Sequence, residues 1–396
     1  MADPELEFPM FDDAVKRDPY PYYARMREIG PIMRNPALLG AWMVAAHEPA
    51  QAVLTDHARF SSAQMSGMQD RISAFDAPTM LNSDPPDHER LRGVAARAFT
   101  PRSIAALEPR LRQLTDAMLA PLRDGEPFDV VDQLAYPLPV MAISELLGVS
   151  VDDRESFRTW SNQLIAGTNE LASEDDLAAA REGAEHLKEY FRAEIARRRA
   201  RPGGDDLVSR LVEANAGEVL DDAELLSSCV LLLVAGNETT TNLIANQALA
   251  LGRDHEQRAR VIADPALVPG AIEEVMRYDS PVQATVRVPA VDVELAGQRV
   301  GAGEMVFVLL AAANRDPTRF EDPERFDVGR APNPHLGFGH GIHFCLGAAL
   351  AKLEARLALE GLLAVAPSYE VRGDPSSLDY GPSFIFHSPR TLPIVR

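Results

Sequence analysis

Cysteine is nearly absent: the chain of 396 residues holds two, Cys229 and Cys345, and no CxxC pair. That excludes a disulfide framework and a cysteine-rich zinc site, and it fits a reducing compartment. Long apolar runs are missing too. The strongest, residues 229–235, falls far short of the ~20 residues a membrane span needs. The first residues, Met1-Ala-Asp-Pro-Glu-Leu-Glu, lack the basic start and apolar stretch of a signal peptide, so a cytoplasmic protein with no membrane anchor is expected. Positive charge is in deficit. Lys and Arg total 39 against 59 Asp and Glu, and the net charge of -20 sets up a field that repels phosphate backbones and argues against a nucleic-acid partner.

What is present reads as an ordinary globular chain, 46% hydrophobic and 25% charged, with ample material for a core. Apolar positions recurring at three- and four-residue steps predict helices over 104–122, 177–199, 222–251, 266–277 and 346–363. Short β-rich pieces at 32–44, 286–295 and 305–310 and near the C-terminus, punctuated by Pro and Gly, predict small sheets. The fold class is therefore mainly α with small β-sheets. Without an internal repeat or a linker-like segment, residues 1–396 read as one domain. The run Arg197-Arg198-Arg199-Ala200-Arg201 ends a predicted helix, where cations offset the negative end of the dipole.

The two cysteines sit in different settings. Cys229 lies in the run Ser228-Cys229-Val230-Leu231-Leu232 and reads as a small buried apolar residue. Cys345 closes a glycine-rich loop, Phe338-Gly339-His340-Gly341-Ile342-His343-Phe344-Cys345-Leu346-Gly347, just before a long amphipathic helix. Backbone N–H groups and the positive dipole end at a helix start favour an anion, so Cys345 is expected as a thiolate. Gly339, Gly341 and Gly347 permit tight turns and close approach to a flat ligand. This decapeptide resembles the haem-binding signature of the cytochromes P450. The resemblance implies that Cys345 is the axial ligand of haem b, that Phe338 packs near the thiolate and that His343 contacts a propionate, with Gly347 completing the signature.

Three further motifs follow in matching order. Ala235-Gly236-Asn237-Glu238-Thr239-Thr240 puts an acid and hydroxyls in the middle of an apolar helix, where they cost stability. It is similar to the family's oxygen-activation motif, which implies that Glu238 and Thr239 are catalytic and deliver protons. Glu274-Val275-Met276-Arg277 places opposite charges on one helical face. It resembles the ExxR element, which implies a structural network of Glu274, Arg277 and Arg330. Buried propionates need cations or donors. His88 and Arg92, one helical turn apart after Asp84-Pro85-Pro86-Asp87, resemble the family's propionate-binding residues, as do Arg287 and His343. Asn314-Arg315-Asp316-Pro317 and Phe326-Asp327 add agreement.

The resemblance implies the P450 fold, a triangular helical prism with small sheets around a buried haem. The activity it implies is a monooxygenase that inserts one atom of O2 into an apolar small molecule, with electrons passing from NAD(P)H through a separate ferredoxin and ferredoxin reductase. A monomer is expected. Arg97, Arg102, Arg110, Lys352 and Arg356 are basic candidates for docking the redox partner. Leu232, Ala235, Val282, Val286, Ile385 and Phe386, with Met65, Met68 and Leu164, suggest an apolar pocket for a terpenoid, steroid, fatty acid, macrolide or aromatic compound. Two rivals remain: a peroxygenase of the same fold using hydrogen peroxide, which commonly lacks the acid and threonine pair, and a non-catalytic haem-thiolate sensor.

Overall fold

The structure, a computed structural model, describes residues 6–10, 12–65, 74–167, 172–374, 377–381 and 383–396. The helices that carry function are α1 (Tyr20–Ile29), α2 (Asp87–Ala96), α3 (Pro101–Met118), α4 (Glu174–Ala200), α5 (Asp222–Arg253), α6 (Val268–Tyr278) and α7 (Ala348–Val365). The chain divides into two compact units. One comprises Met1–Ser61, Arg112–Tyr136 and Thr239–Arg396, the other Ser62–Leu111 and Pro137–Glu238. No helix among the described residues is long and apolar enough to cross a membrane.

The second unit is helical. Its α4 begins three residues earlier than periodicity predicts, because Ser173 caps it: the hydroxyl accepts from the Asp176 amide at 3.1 Å while Asp176 accepts from the Ser173 amide at 2.9 Å. At the other end, one of the cations expected to offset the helix dipole has a further task. Arg198 is buried, donating to Asp206 at 2.8 Å and Glu194 at 2.5 Å and to the carbonyl of Gly148 at 2.6 Å. A guanidinium can afford burial when its donors are met this fully.

The first unit contains a five-stranded sheet of β1 (Ile32–Asn35), β2 (Ala41–Val44), β3 (Phe60–Ser61), β4 (Thr285–Pro289) and β5 (Val306–Val308), in the order β1-β2-β5-β4-β3. β2 runs parallel to β5 with Trp42 opposite Val306, and β4 pairs antiparallel with β5, Arg287 opposite Val306. Its core gathers Ile32, Trp42, Val44, Leu54, Val306, Val308 and Leu336. Each such side chain contributes roughly 1.5–3 kcal/mol by leaving water. Leu336 matters most here, since it anchors the approach to the cysteine loop, and its amide donates to Asn314 Oδ1 at 2.7 Å.

Two predicted strands divide. Residues 32–44 form two antiparallel strands about a turn at Pro36–Leu38, with Leu39 left-handed at φ 54°. In 286–295 Pro289 ends β4, and Val293–Leu295 pairs instead with Gln298–Val300 in a separate two-stranded sheet. Near the C-terminus, Pro393–Val395 lies between Phe128–Asp129 and Glu370–Val371 in a three-stranded sheet.

Candidate active site

The cysteine loop is built from unusual backbone. Gly339 and Gly341 have φ of 73° and 70°, a region in which L residues are strained. At Gly341 a Cβ would also stand 2.5 Å from the Leu54 carbonyl oxygen, so the loop lies flush on the helix His47–Thr55. The Cys345 amide donates to Phe338 O at 2.9 Å, closing the loop on itself. α7 starts at Ala348 with Gly347 as N-cap, two residues later than predicted, so Cys345 precedes the helix rather than opening it. The side chain is half-buried. Cys229 contrasts with it: fully enclosed, its thiol is pushed up to about 12 by burial.

Around this loop, Phe338 meets the rings of His335 and Phe344 at 6.0 and 6.3 Å, and Lys352 Nζ stands 5.0 Å from its ring centre. His343 is half-buried. On β4, in the same unit, Arg287 is only 6% exposed and donates to Val286 O at 2.7 Å and Thr285 Oγ1 at 3.3 Å. One soft sulfur ligand on a loop where a glycine permits flush packing, with a buried guanidinium in the same unit, is a donor set that fits haem: sulfur suits the iron and cations suit propionates.

Glu274 and Arg277 of α6 are both completely buried and paired two-fold, Nη2 to Oε1 and Nε to Oε2, each at 2.8 Å. Arg330 Nε reaches Glu274 at 3.1 Å, so the structure brings the three residues together. Sequence reasoning missed the rest of the network. The Asp327 amide at 2.9 Å and Asn333 Nδ2 at 3.2 Å also donate to Glu274, while Arg277 donates to the carbonyls of Asn314, Pro323 and Arg325. Asn314 stands in the quoted Asn314-Arg315-Asp316-Pro317 motif, which was the available signal. Neighbouring Glu273, unremarked in the sequence, binds His335 at 2.7 Å and Lys352 at 2.5 Å. Burial opposes its ionisation, but these two donors hold its carboxyl below the usual range.

In α5 the Leu225–Leu233 stretch is buried, whereas Ala235 is exposed and Gly236, Glu238 and Thr239 are half-buried. Asn237 and Thr240 on the neighbouring faces are buried. α2 carries His88, 2% exposed, and Arg92, half-buried and one turn on. Arg90 between them pairs elsewhere, with Glu224 at 2.6 Å and Asp87 at 2.8 Å.

Of the pocket candidates, Leu232 and Val286 are buried, and Val282 bridges antiparallel to Phe386, next to Ile385. Leu164 is buried on the helix Arg154–Ala166. Met68 lies outside the described residues, as does the side chain of Met65. Among the docking candidates Arg97 and Arg102 are exposed, but Arg110 faces Glu145 at 3.3 Å, Lys352 faces Glu273 and Arg356 faces Glu360 at 3.3 Å. Internal carboxylates thus offset much of the expected positive patch.

The chain matches the cytochrome P450 family profile over residues 27–365. Cytochrome P450 107B1 of Saccharopolyspora erythraea is 41% identical over 399 residues, covering 97% of this chain and 96% of its own length. The cytochrome P450 monooxygenase PikC of Streptomyces venezuelae is 42% identical over 402 residues, covering 99% and 94%. The crystal structure of myxobacterial cytochrome P450 CYP267B1 in complex with myristic acid matches with a TM-score of 0.90 at 38% identity, covering 98% of each chain.

Proposed function

This chain belongs to the cytochrome P450 family, as a monooxygenase using haem b, O2 and electrons drawn from NAD(P)H, and on that premise we propose that it inserts oxygen into an apolar small molecule and that Cys345 would hold the haem iron. The cysteine loop carries the reading: left-handed glycines, an amide closure at Phe338 and a half-buried sulfur just ahead of a long helix.

When bound, haem supplies the activation of dioxygen and the transfer of oxygen to substrate. Cys345 would hold the iron as thiolate, a strong electron donor, and the α7 N-terminus behind it favours that charge. His88, Arg92, Arg287 and His343 would bind the propionates; Arg287 would then exchange carbonyl and hydroxyl partners for a carboxylate. Phe338 shields the sulfur and Gly347 caps the helix that follows it. Glu238 and Thr239 would be the catalytic pair, helping to deliver the protons that dioxygen activation consumes. Leu232, Ala235, Val282, Val286, Ile385 and Phe386 orient the substrate and exclude water. Glu274, Arg277 and Arg330 do no chemistry; they brace the segment leading to the loop.

The apolar walls suit a terpenoid, steroid, fatty acid, macrolide or aromatic compound, and the myristic acid bound to CYP267B1 supports keeping fatty acids in that class. Electrons arrive from a separate ferredoxin and its reductase, and the whole chain acts as one catalytic domain. A peroxide-driven peroxygenase or a non-catalytic sensor would leave Glu238 and Thr239 without a task.

The test is a coupling measurement with a surrogate ferredoxin, its reductase and NADPH on any substrate that turns over. Thr239→Ala should lower product per NADPH by about tenfold and release peroxide instead. Tight coupling in that variant would remove Thr239 from the mechanism.

A further inference from the structure

Val282 and Phe386 come from segments far apart in sequence, yet they meet as an isolated antiparallel bridge. The Gln283 amide donates to Ile385 O at 2.7 Å, and the His387 amide donates to Pro281 O at 3.0 Å. So short a ladder does not hold itself in water. A side-chain pair at its end does the holding. His387 Nδ1 lies 2.8 Å from Asp279 Oδ1, with 5% and 14% of the two side chains exposed. Tyr20 Oη at the start of α1 donates to the same carboxylate oxygen at 2.7 Å.

Both partners are also indexed to α5. A single amide, Asn246 Nδ2, donates to the backbone carbonyls of Asp279 at 3.0 Å and His387 at 2.8 Å, straddling the two segments. Ser388 Oγ donates to Asn242 Oδ1 at 2.9 Å. The imidazole is stacked on Tyr380 at 4.4 Å and meets Tyr20 edge-on at 6.1 Å, which fixes its plane. Burial opposes ionisation of Asp279, but His387 and Tyr20 outweigh it and hold the carboxyl below its usual range. An ionised, enclosed carboxylate makes any departure of its donors costly.

We propose that Asp279 and His387 form a clasp that sets how Ile385 and Phe386 face Val282, making His387 a positioning residue for substrate selection although it touches no substrate. The inference rests on the reading of these three apolar residues as pocket walls. Breaking the clasp loosens one wall, which a bulky ligand senses and a small one does not.

The experiment is spectral titration of the haem-loaded protein with imidazole and with 4-phenylimidazole. In His387→Leu the preference for 4-phenylimidazole should fall by about tenfold while imidazole affinity and the carbon monoxide spectrum stay as in the wild type. His387→Asn, whose side-chain amide can replace the Nδ1 donor, should restore most of the preference. If His387→Leu does not fold, Asp279→Asn, which removes the charge at constant shape, should shift the preference in the same direction. An unchanged preference in the folded variants, or failure of His387→Asn to rescue, overturns the clasp. A wild-type protein whose spectrum answers to neither azole overturns the haem reading and the clasp with it.

Discussion

Glu274 shows how much one side chain can organise. It sits at zero exposure, and the Arg277 guanidinium, the Arg330 Nε, the Asp327 amide and Asn333 all donate to it. Removing one partner of such a pair strands the other charge in a poorly solvating interior. Glu274→Ala should therefore cost about 3–5 kcal/mol in urea denaturation. Arg277→Lys should be nearly as damaging, because an ammonium cannot reproduce a planar fork that also serves three carbonyls. Glu354 on α7 makes the opposite case. It is buried with Oε2 lacking a hydrogen-bond partner among the described residues, and burial raises its carboxyl well above the ordinary 4.5. Below that ordinary value both folded and unfolded chains carry the proton. As pH rises the unfolded chain releases it first, so the contribution of Glu354 to stability is lost on the alkaline side. Glu354→Gln should abolish that loss, and its urea midpoint should gain on the wild type over the pH range that opens above about 4.5. A constant difference across that range would show that Glu354 is ionised in the folded state. The charged ends of the Glu274 motif were legible from their spacing and Asp327 from the Phe326-Asp327 pair, though not its amide's bond to Glu274, whereas Asn333 stood in no motif and only folding brings it to the carboxylate.

At the scale of elements, the cysteine loop depends on backbone that only glycine adopts freely. Gly341→Ala would combine a left-handed φ with a Cβ driven into the Leu54 carbonyl. The loop must shift, and haem content on purification should fall by at least about tenfold relative to the wild type. Full occupancy would mean that the flush packing on His47–Thr55 is dispensable. The existence of α3 to α7 was readable from apolar positions recurring at three- and four-residue steps, whereas α1 and α2 were not predicted. Boundaries were less readable. α4 begins at a capping box whose polar residues interrupt no apolar pattern, and α7 begins after Gly347 because the Cys345 amide is committed to Phe338 rather than to a helix. The division of 286–295 follows from Pro289, a punctuation visible in the sequence but outweighed by the β-branched residues around it.

For the whole molecule, order of motifs did what local pattern could not. The P450 fold was legible through the succession from Asp84 to Cys345, because widely separated motifs in one order constrain topology far more than any helix does alone. Strand order in the five-stranded sheet was not legible, since β2 and β5 are parallel neighbours brought together across most of the chain. Nor was the Asp279–His387 pair, whose members read singly as an unremarkable acid and histidine. The protein carries a net charge of -20, and Lys352 and Arg356 on α7 face internal carboxylates, so a redox partner proposed to dock on them would compete with contacts already made. All of this turns on Cys345 holding haem as a thiolate. The most direct measurement is the absorption spectrum of the dithionite-reduced protein under carbon monoxide, compared with Cys345→Ser. A strongly red-shifted Soret band in the wild type that is lost in the variant is the result expected. A wild-type protein without haem, or one whose band the substitution leaves in place, would contradict it.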